Sequence, residues 1–351
     1  MINPDTFKNE AVAIRDIYTE LEVELLEKMA KQLNKGLNLS VTDWKVQKLA
    51  ALSKFNVNRD ELIAQAQLIN KELADTLESA FIKGIKESDA IIPGVPQTPA
   101  VDFFSINEQR LLLLTNKTQI TNIRALTEFY GSIGITYQDA INRALAGVIS
   151  GSKTLKQSVK SSTLELANKG VGYVTYGNGR KVNIASYMEM MTRTNSTKVA
   201  LEANTLRNKE YGYELVYINQ YNGCSDTCQP WQGRVYFDDT DGEINNTDYP
   251  SLSTAINGGL FHPNCKHFKT PFDPDIQDKP KVIDNDEELY DKRQDQRYIE
   301  RNITKWKKID AVSTGTDKIK SKMKVKEWQS KNRKLIKSDD RLRRDYAREQ
   351  L

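Results

Sequence analysis

Ile14-Arg15-Asp16-Ile17-Tyr18-Thr19-Glu20-Leu21-Glu22-Val23-Glu24-Leu25-Leu26-Glu27-Lys28-Met29-Ala30-Lys31-Gln32-Leu33 is the stretch that decides the fold class. Ile14, Ile17, Tyr18, Leu21, Leu25, Met29 and Leu33 recur at three- and four-residue steps, with Glu and Lys between them. That spacing places the apolar side chains on one face of a helix and the charges on the other. It predicts a long amphipathic helix over residues 8–35, closed by Gly36. The same reasoning extends outward. Trp44, Val46, Leu49 and Leu52 predict a second helix over 42–55, and Asn58 followed by Glu61 predicts a cap for a third over about 59–88.

Pro93, Pro96 and Pro99 surround Gly94, a density that no helix carries, so residues 91–100 are expected to be a linker. Helices are expected to resume over 106–131, 138–150 and 154–168. The texture then changes. Asn178-Gly179 lies between the β-prone runs Gly172–Tyr176 and Arg180–Ile184, a hairpin signal. Ser186 with Glu189 reads as a capping box opening a further helix to about Lys209. Glu189 and Arg193, one turn apart on it, suit a local ion pair. Residues 214–219 alternate like a strand, residues 220–275 predict short strands at best, and charged helix is expected from about 286 to the end. The expectation is a mainly α protein with a small α+β module. Its parts are a helical N-terminal unit (1–90), the linker (91–100), a helical middle segment (101–165), a hairpin-containing Cys/His module (166–275) and a basic helical tail (276–351). The 28% of charged residues against 38% hydrophobic suggests elongated helical parts with much exposed surface.

Every cysteine and both histidines fall between residues 224 and 267. The order is Cys224, Cys228, then His262-Pro263-Asn264-Cys265-Lys266-His267. A structural zinc site needs four nitrogen or sulfur ligands, usually as two short-spaced pairs. Cys224 and Cys228 supply one pair. Cys265 with either His262 or His267 supplies the other. Turn residues such as Ser225, Asp226, Pro230, Gly233 and Pro263 let neighbouring ligands face one ion, and a metal there replaces a missing apolar core. The alternative is a metal-free cluster of small buried thiols and turn histidines. A catalytic reading lacks its parts. Asn264 stands where a zinc deaminase needs Glu, and there is no His-Glu-x-x-His. Asp226, Asp238 and Asp239 read as loop solvation, and Trp231 as the cover of a small core. The expectation is a protein that is not an enzyme and has no small-molecule substrate.

Met1-Ile2-Asn3-Pro4-Asp5 has no basic region followed by an apolar run, so no secretion signal is expected. The apolar cluster Leu111–Leu114 is far short of the ~20 residues of a membrane span. Three cysteines in such a chain favour a metal or free thiols over disulfides. The net charge is +4, but residues 301–351 carry 17 Lys/Arg against 7 Asp/Glu. Lys305, Lys307, Lys308, Lys322, Lys324, Arg341, Arg343 and Arg344 are the candidate contacts to nucleic-acid phosphates. The same charge suits an acidic protein surface, or a solvated helix. Trp306, Trp328, Leu335, Ile336, Leu342 and Tyr346 interleave with it and predict packing.

With these segments in place, the chain resembles the phage minor capsid protein 2 family. Three blocks carry the likeness. One is Ile17–Glu22 through Met29–Leu33. A second joins Pro230-Trp231-Gln232-Gly233-Arg234-Val235-Tyr236, Tyr249–Leu252 and Asn264-Cys265-Lys266-His267. The third joins Gln296–Arg301 to Arg343–Glu349. The central block is also similar to the wider head-morphogenesis module. The resemblance implies a minor head protein of a tailed bacteriophage, placed next to the portal in the procapsid, with roles in assembly, DNA packaging or delivery. Implied partners are the portal protein and the scaffold or major capsid protein, with phage DNA beside them. The implied location is the virion, after assembly in the host cytoplasm. It also implies that Cys228, Cys265 and His267 match the family's pattern or chemistry, while Cys224 and His262 are either additions that complete a metal site in this chain or incidental to a window that needs no metal. Other readings are a DNA-binding head factor acting through the basic tail, and a toxin or enzyme of a related head-morphogenesis module.

Overall fold

The computed structural model describes residues 4–55, 59–92, 101–242, 248–263, 265–278 and 281–351. Among them the chain forms nine α-helices and two small antiparallel sheets. The helices are α1 (Lys8–Leu33), α2 (Val41–Ala50), α3 (Arg59–Ile91), α4 (Val101–Ile149), α5 (Leu155–Lys169), α6 (Ile184–Glu210), α7 (Leu252–Asn257), α8 (Glu287–Val312) and α9 (Gly315–Lys337). The strands are β1 (Tyr173–Thr175), β2 (Lys181–Asn183), β3 (Leu215–Ile218), β4 (Val235–Phe237) and β5 (Lys269–Pro271). The mainly α class with a small β component holds. No helix of the described residues is long and apolar enough to cross a membrane.

The chain packs as two compact units, each assembled from three stretches. The first unit comprises residues 1–14, 68–121 and 188–291. Phe7, Leu77, Ala80, Phe81, Ile85, Val199, Ala200 and Ala203 form one of its cores. The alanines matter here, because α3 and α6 approach closely. A Cβ on Gly84 would lie 2.3 Å from the Ala200 carbonyl oxygen, so only glycine fits. Within this unit the buried Arg207 of α6 pairs with Asp89 of α3 at 2.5 Å.

The second unit comprises residues 15–67, 122–187 and 292–351. Phe129, Ile133, Tyr137, Ala140, Ile141 and Ala144 of α4 are fully buried in it. Ser158 and Ser162 of α5 donate to the Ala144 and Ala140 carbonyls at 2.6 Å each, the contact that small residues permit. Trp44 of α2 is buried and donates its indole N–H to the Leu33 carbonyl at 3.2 Å, satisfying an orphan acceptor at the end of α1. Glu22 of α1 is fully buried. Its carboxylate accepts from Lys308 Nζ at 2.5 Å, Asn183 Nδ2 at 2.8 Å and the Val171 N–H at 3.2 Å.

Several local expectations need correction. The helices expected over 106–131 and 138–150 are one continuous helix, α4; Gly131 and Gly134 do not break it because Ile133 and Tyr137 on its inner face are locked in the core. The capping box at Ser186 does not form. Asn183 caps α6 instead, accepting from the Ala185 and Ser186 N–H groups at 3.1 and 3.3 Å. The 220–275 region contains helix α7, capped by Ser251. Regular α-helix ends at Lys337, not at the terminus. The hairpin forms with the register Val174↔Val182, and Gly179 takes φ +80° in its turn. Asn58, the proline segment 93–100 and Asn264 lie outside the described residues.

Candidate metal centre

Sheet register brings the two halves of the Cys/His window together. β3 pairs antiparallel with β5, and Ile218 at the end of β3 faces Lys269 at the start of β5. The segment leaving β3 and the segment entering β5 therefore start from the same end of the sheet. The first carries Cys224 and Cys228; the second carries His262, Cys265 and His267. A tight turn closes each: the Cys228 N–H donates to the Ser225 carbonyl at 3.1 Å, and the Cys265 N–H to the His262 carbonyl at 2.8 Å.

The five side chains converge on the Cys228 sulfur. The donor atoms of Cys224, Cys228 and His267 lie within 4.8 Å of one another, and so do those of Cys228, His262 and Cys265. Zinc–sulfur bonds of about 2.3 Å place tetrahedral sulfurs about 3.8 Å apart, so a contraction of about 1 Å at most closes either set on an ion. The three thiols are free and buried, and His267 is 0% exposed.

Both imidazoles present a lone pair to this point. A carbonyl oxygen only accepts, so His262 Nδ1 donates to Pro263 O at 2.8 Å, and in the neutral ring Nε2 carries the lone pair. The Gln232 Oε1 already accepts the Tyr221 N–H at 2.8 Å and so also accepts from His267 Nε2 at 2.9 Å. His267 is thereby held with Nδ1 unprotonated, 3.2 Å from the Cys265 sulfur. His262 is half-buried, and its Nε2 is met by the Ser225 hydroxyl at 2.9 Å. A cavity lined by Arg193, Thr197, Lys198, Phe261, His262 and Cys265 adjoins that side.

The electrostatics follow from the convergence. Cys228 is pushed far below the ordinary thiol value, first by the hydrogen bond from Cys224, then by Cys265, with His262 and His267 adding to it against the cost of burial. Cys224 and Cys265 are pushed up, each chiefly because its proton is shared with Cys228. His262 is raised by its hydrogen bond to Cys228, which favours the protonated ring donating Nε2–H to the thiolate. A cluster that stabilises a thiolate at its centre has the charge a divalent cation needs.

Outer contacts hold the ligands. Asn285 Oδ1 accepts from the Gly223 and Cys224 N–H groups at 2.9 and 3.0 Å, and its Nδ2 donates to the Cys224 carbonyl at 3.1 Å. Gln232 and Asn285 are residues that the sequence reading missed. Gln232 lies in the Pro230–Tyr236 stretch, and the need for a group that orients a ligating histidine is the signal that points to it. Asn285 had no signal, lying 61 residues from the backbone it clamps. Around the sulfurs, Val216, Ile218, Tyr236, Leu252, Ala255 and Leu260 form a small core. Trp231 packs against it and donates Nε1–H to the Gly258 carbonyl at 3.1 Å.

The carboxylates here have structural partners. Asp238 is not solvated: it is buried against Lys269 at 2.5 Å, with Thr205 and Thr240. Asp239 receives the Ser251 hydroxyl at 2.5 Å and the Ser253 N–H at 2.8 Å at the start of α7. Asp226 is exposed. Arg193 lies 3.8 Å from Glu189, the local pair expected.

The eight candidate tail cations differ in their local partners. Lys308 reaches the buried Glu22, Lys324 pairs with Glu327 at 2.7 Å, Arg341 with Asp339 at 2.6 Å and Arg344 with Glu349 at 2.6 Å. Arg343 donates to the Asp340 and Leu342 carbonyls. Lys307 lies 3.4 Å from Gln350 Oε1, and burial lowers its pKa. Lys305 is half-buried and Lys322 is exposed.

The sequence model of the phage minor capsid protein 2 family matches residues 2–337. A structural protein of Lactococcus phage LL-H is 24% identical over 360 residues, covering 98% of this chain and 93% of the relative. A structural protein of Lactococcus phage mv4 is 31% identical over 116 residues, covering 30% of this chain and 94% of the relative. No solved structure matches the chain.

Proposed function

Because the chain belongs to the phage minor capsid protein 2 family, we propose that it is a non-enzymatic component of a tailed-phage head, built into the procapsid beside the portal. Its partners are the portal protein and the scaffold or major capsid protein, and its work is head assembly with DNA packaging or delivery. It is assembled in the host cytoplasm and resides in the virion. The observation that carries this reading is the family match across nearly the whole chain. Tagged protein expressed during infection is expected to co-purify with procapsids and with the portal. Procapsids that form without it, and a portal that never binds it, overturn the placement.

The Cys/His cluster supports a structural zinc within this role, held by Cys224, Cys228, Cys265 and His267. His267 suits the fourth position better than His262, because it is fully buried and its tautomer is set by Gln232. His262 already has the Ser225 hydroxyl on its lone pair. Four protein ligands leave no open position for substrate, which fits a staple and not a catalyst. Elemental analysis of untagged protein is expected to give one zinc per chain, lost in Cys265→Ser. Metal-free protein with an ordered module removes the zinc and leaves the head role standing.

A further inference from the structure

We propose that one face of α9 is a sequence-independent contact for the phosphate backbone of double-stranded DNA, formed by Lys320, Lys322, Lys326, Arg333, Lys334 and Lys337. The proposal is independent of the metal site. α9 carries nine Lys/Arg and two acidic residues. Three of the cations are neutralised locally: Lys318 by Asp310 at 3.3 Å, and Lys324 and Lys331 by Glu327 at 2.7 and 3.1 Å. The other acidic residue, Asp317, is engaged by Lys160 at 2.5 Å. The six remaining cations make no ion pair among the described residues, and all six are exposed.

Helical geometry turns four of them the same way. Lys322, Lys326, Arg333 and Lys337 lie within about 60° of one another at 100° per residue, with Lys334 about 60° and Lys320 about 100° beyond them on one side, so the six cover about 160° of the helix surface. The rotation of the helix is fixed from the opposite side. Ser321 and Asn332 are buried there; Ser321 Oγ donates to Asp310 Oδ1 at 2.7 Å, and Asn332 Nδ2 to Glu349 Oε1 at 2.8 Å. From Lys320 to Lys337 the row spans about 25 Å at the helical rise. A duplex presents one negative charge per about 1.7 Å of axis, so such a row meets phosphates along its whole length.

Composition favours DNA over an acidic protein. Protein interfaces are depleted in lysine and have an apolar centre. This face is mostly lysine, and its exposed large apolar side chains are Ile319 and Met323. Phosphate contacts need cations and no shaped core, and five lysines to one arginine give little bidentate reading of bases.

The test is fluorescence anisotropy of the full chain on labelled random-sequence duplex across a salt series. Six contacts predict a slope of log K against log salt near −5. The exposed quadruple variant K322Q/K326Q/R333Q/K337Q should reduce that slope by about 3.6 and weaken binding on the order of 100-fold or more in moderate salt. A charge-matched control at exposed lysines elsewhere, K45Q/K54Q/K71Q/K86Q, should keep the slope. Circular dichroism confirms that both variants are folded. Absence of duplex binding, equal loss in the two variants, or polyglutamate competing as well as DNA at matched charge each overturns the assignment.

Discussion

The Cys/His cluster and α9 put polar groups to opposite uses. Around Cys228, four donors, a glutamine and an asparagine are aimed inward, and the apolar core beside them is small. On α9 the inward side is anchored by a serine and an asparagine, and the unneutralised charge is aimed outward. Polar residues aimed inward must all be satisfied together, because a half-satisfied buried network is worse than none. Charges aimed outward act almost additively, each adding a counterion to be released. The first region should therefore fail as a whole and the second by degrees.

The largest effect is expected where the inward network has its hub. Cys228→Ser should abolish metal binding and cost on the order of 5 kcal/mol or more, given the affinity of structural zinc sites; hydrogen exchange should show residues 215–271 losing protection while α4 and α5 keep theirs. Next comes Glu22→Gln in the second unit, which leaves Lys308 facing a neutral partner in a buried setting. Breaking a buried pair in this way costs about 3–5 kcal/mol, read from denaturant unfolding. If it costs less than about 1 kcal/mol, Lys308 belongs with the outward charges. Gln232→Leu removes only the group that orients His267, and should weaken zinc 10–100-fold in a chelator competition, the range for outer-contact losses. A comparable loss in His262→Ala, with none in His267→Ala, would exchange the two histidines in the site.

The smallest effect concerns pH. Lys48 is buried, donates to the Lys35 carbonyl and Gln47 Oε1 at 2.7 Å each, and burial lowers its pKa to about 8. Its folded value lies below its unfolded one, so between about pH 8 and 10.5 the unfolded chain binds more protons. Stability should rise with pH through that window and be flat in Lys48→Met. A fall through the window would mean that the ammonium is stabilised where it sits.

The contrast also explains what could be read in advance. The α1 periodicity was legible because helix formation is a local repeat, although the fully buried Glu22 interrupts its apolar face. The Cys/His cluster was legible as a group because the chain has no other cysteine or histidine. Its orientation was not: the choice between two histidines rests on Gln232 and Ser225, which carry no metal signature of their own. The start of α6 went astray because Ser186 and Glu189 match a motif, while Asn183 one turn earlier has the cap geometry. For the tail, sequence counts charges and cannot see their partners. Lys308 and Lys322 look alike in composition, yet one is matched by a carboxylate 286 residues away and the other faces solvent.

That distance has a consequence for biosynthesis. Glu22 leaves the ribosome 286 residues before Lys308. Elongation at about 5–20 residues per second separates their emergence by roughly 15–60 s. Through that interval α1 carries a carboxylate that cannot enter its buried position with its cation, and the second unit lacks one of its three stretches. The second unit therefore stays incomplete until residues 292–351 have emerged, which delays until then any subunit recognition that depends on that unit.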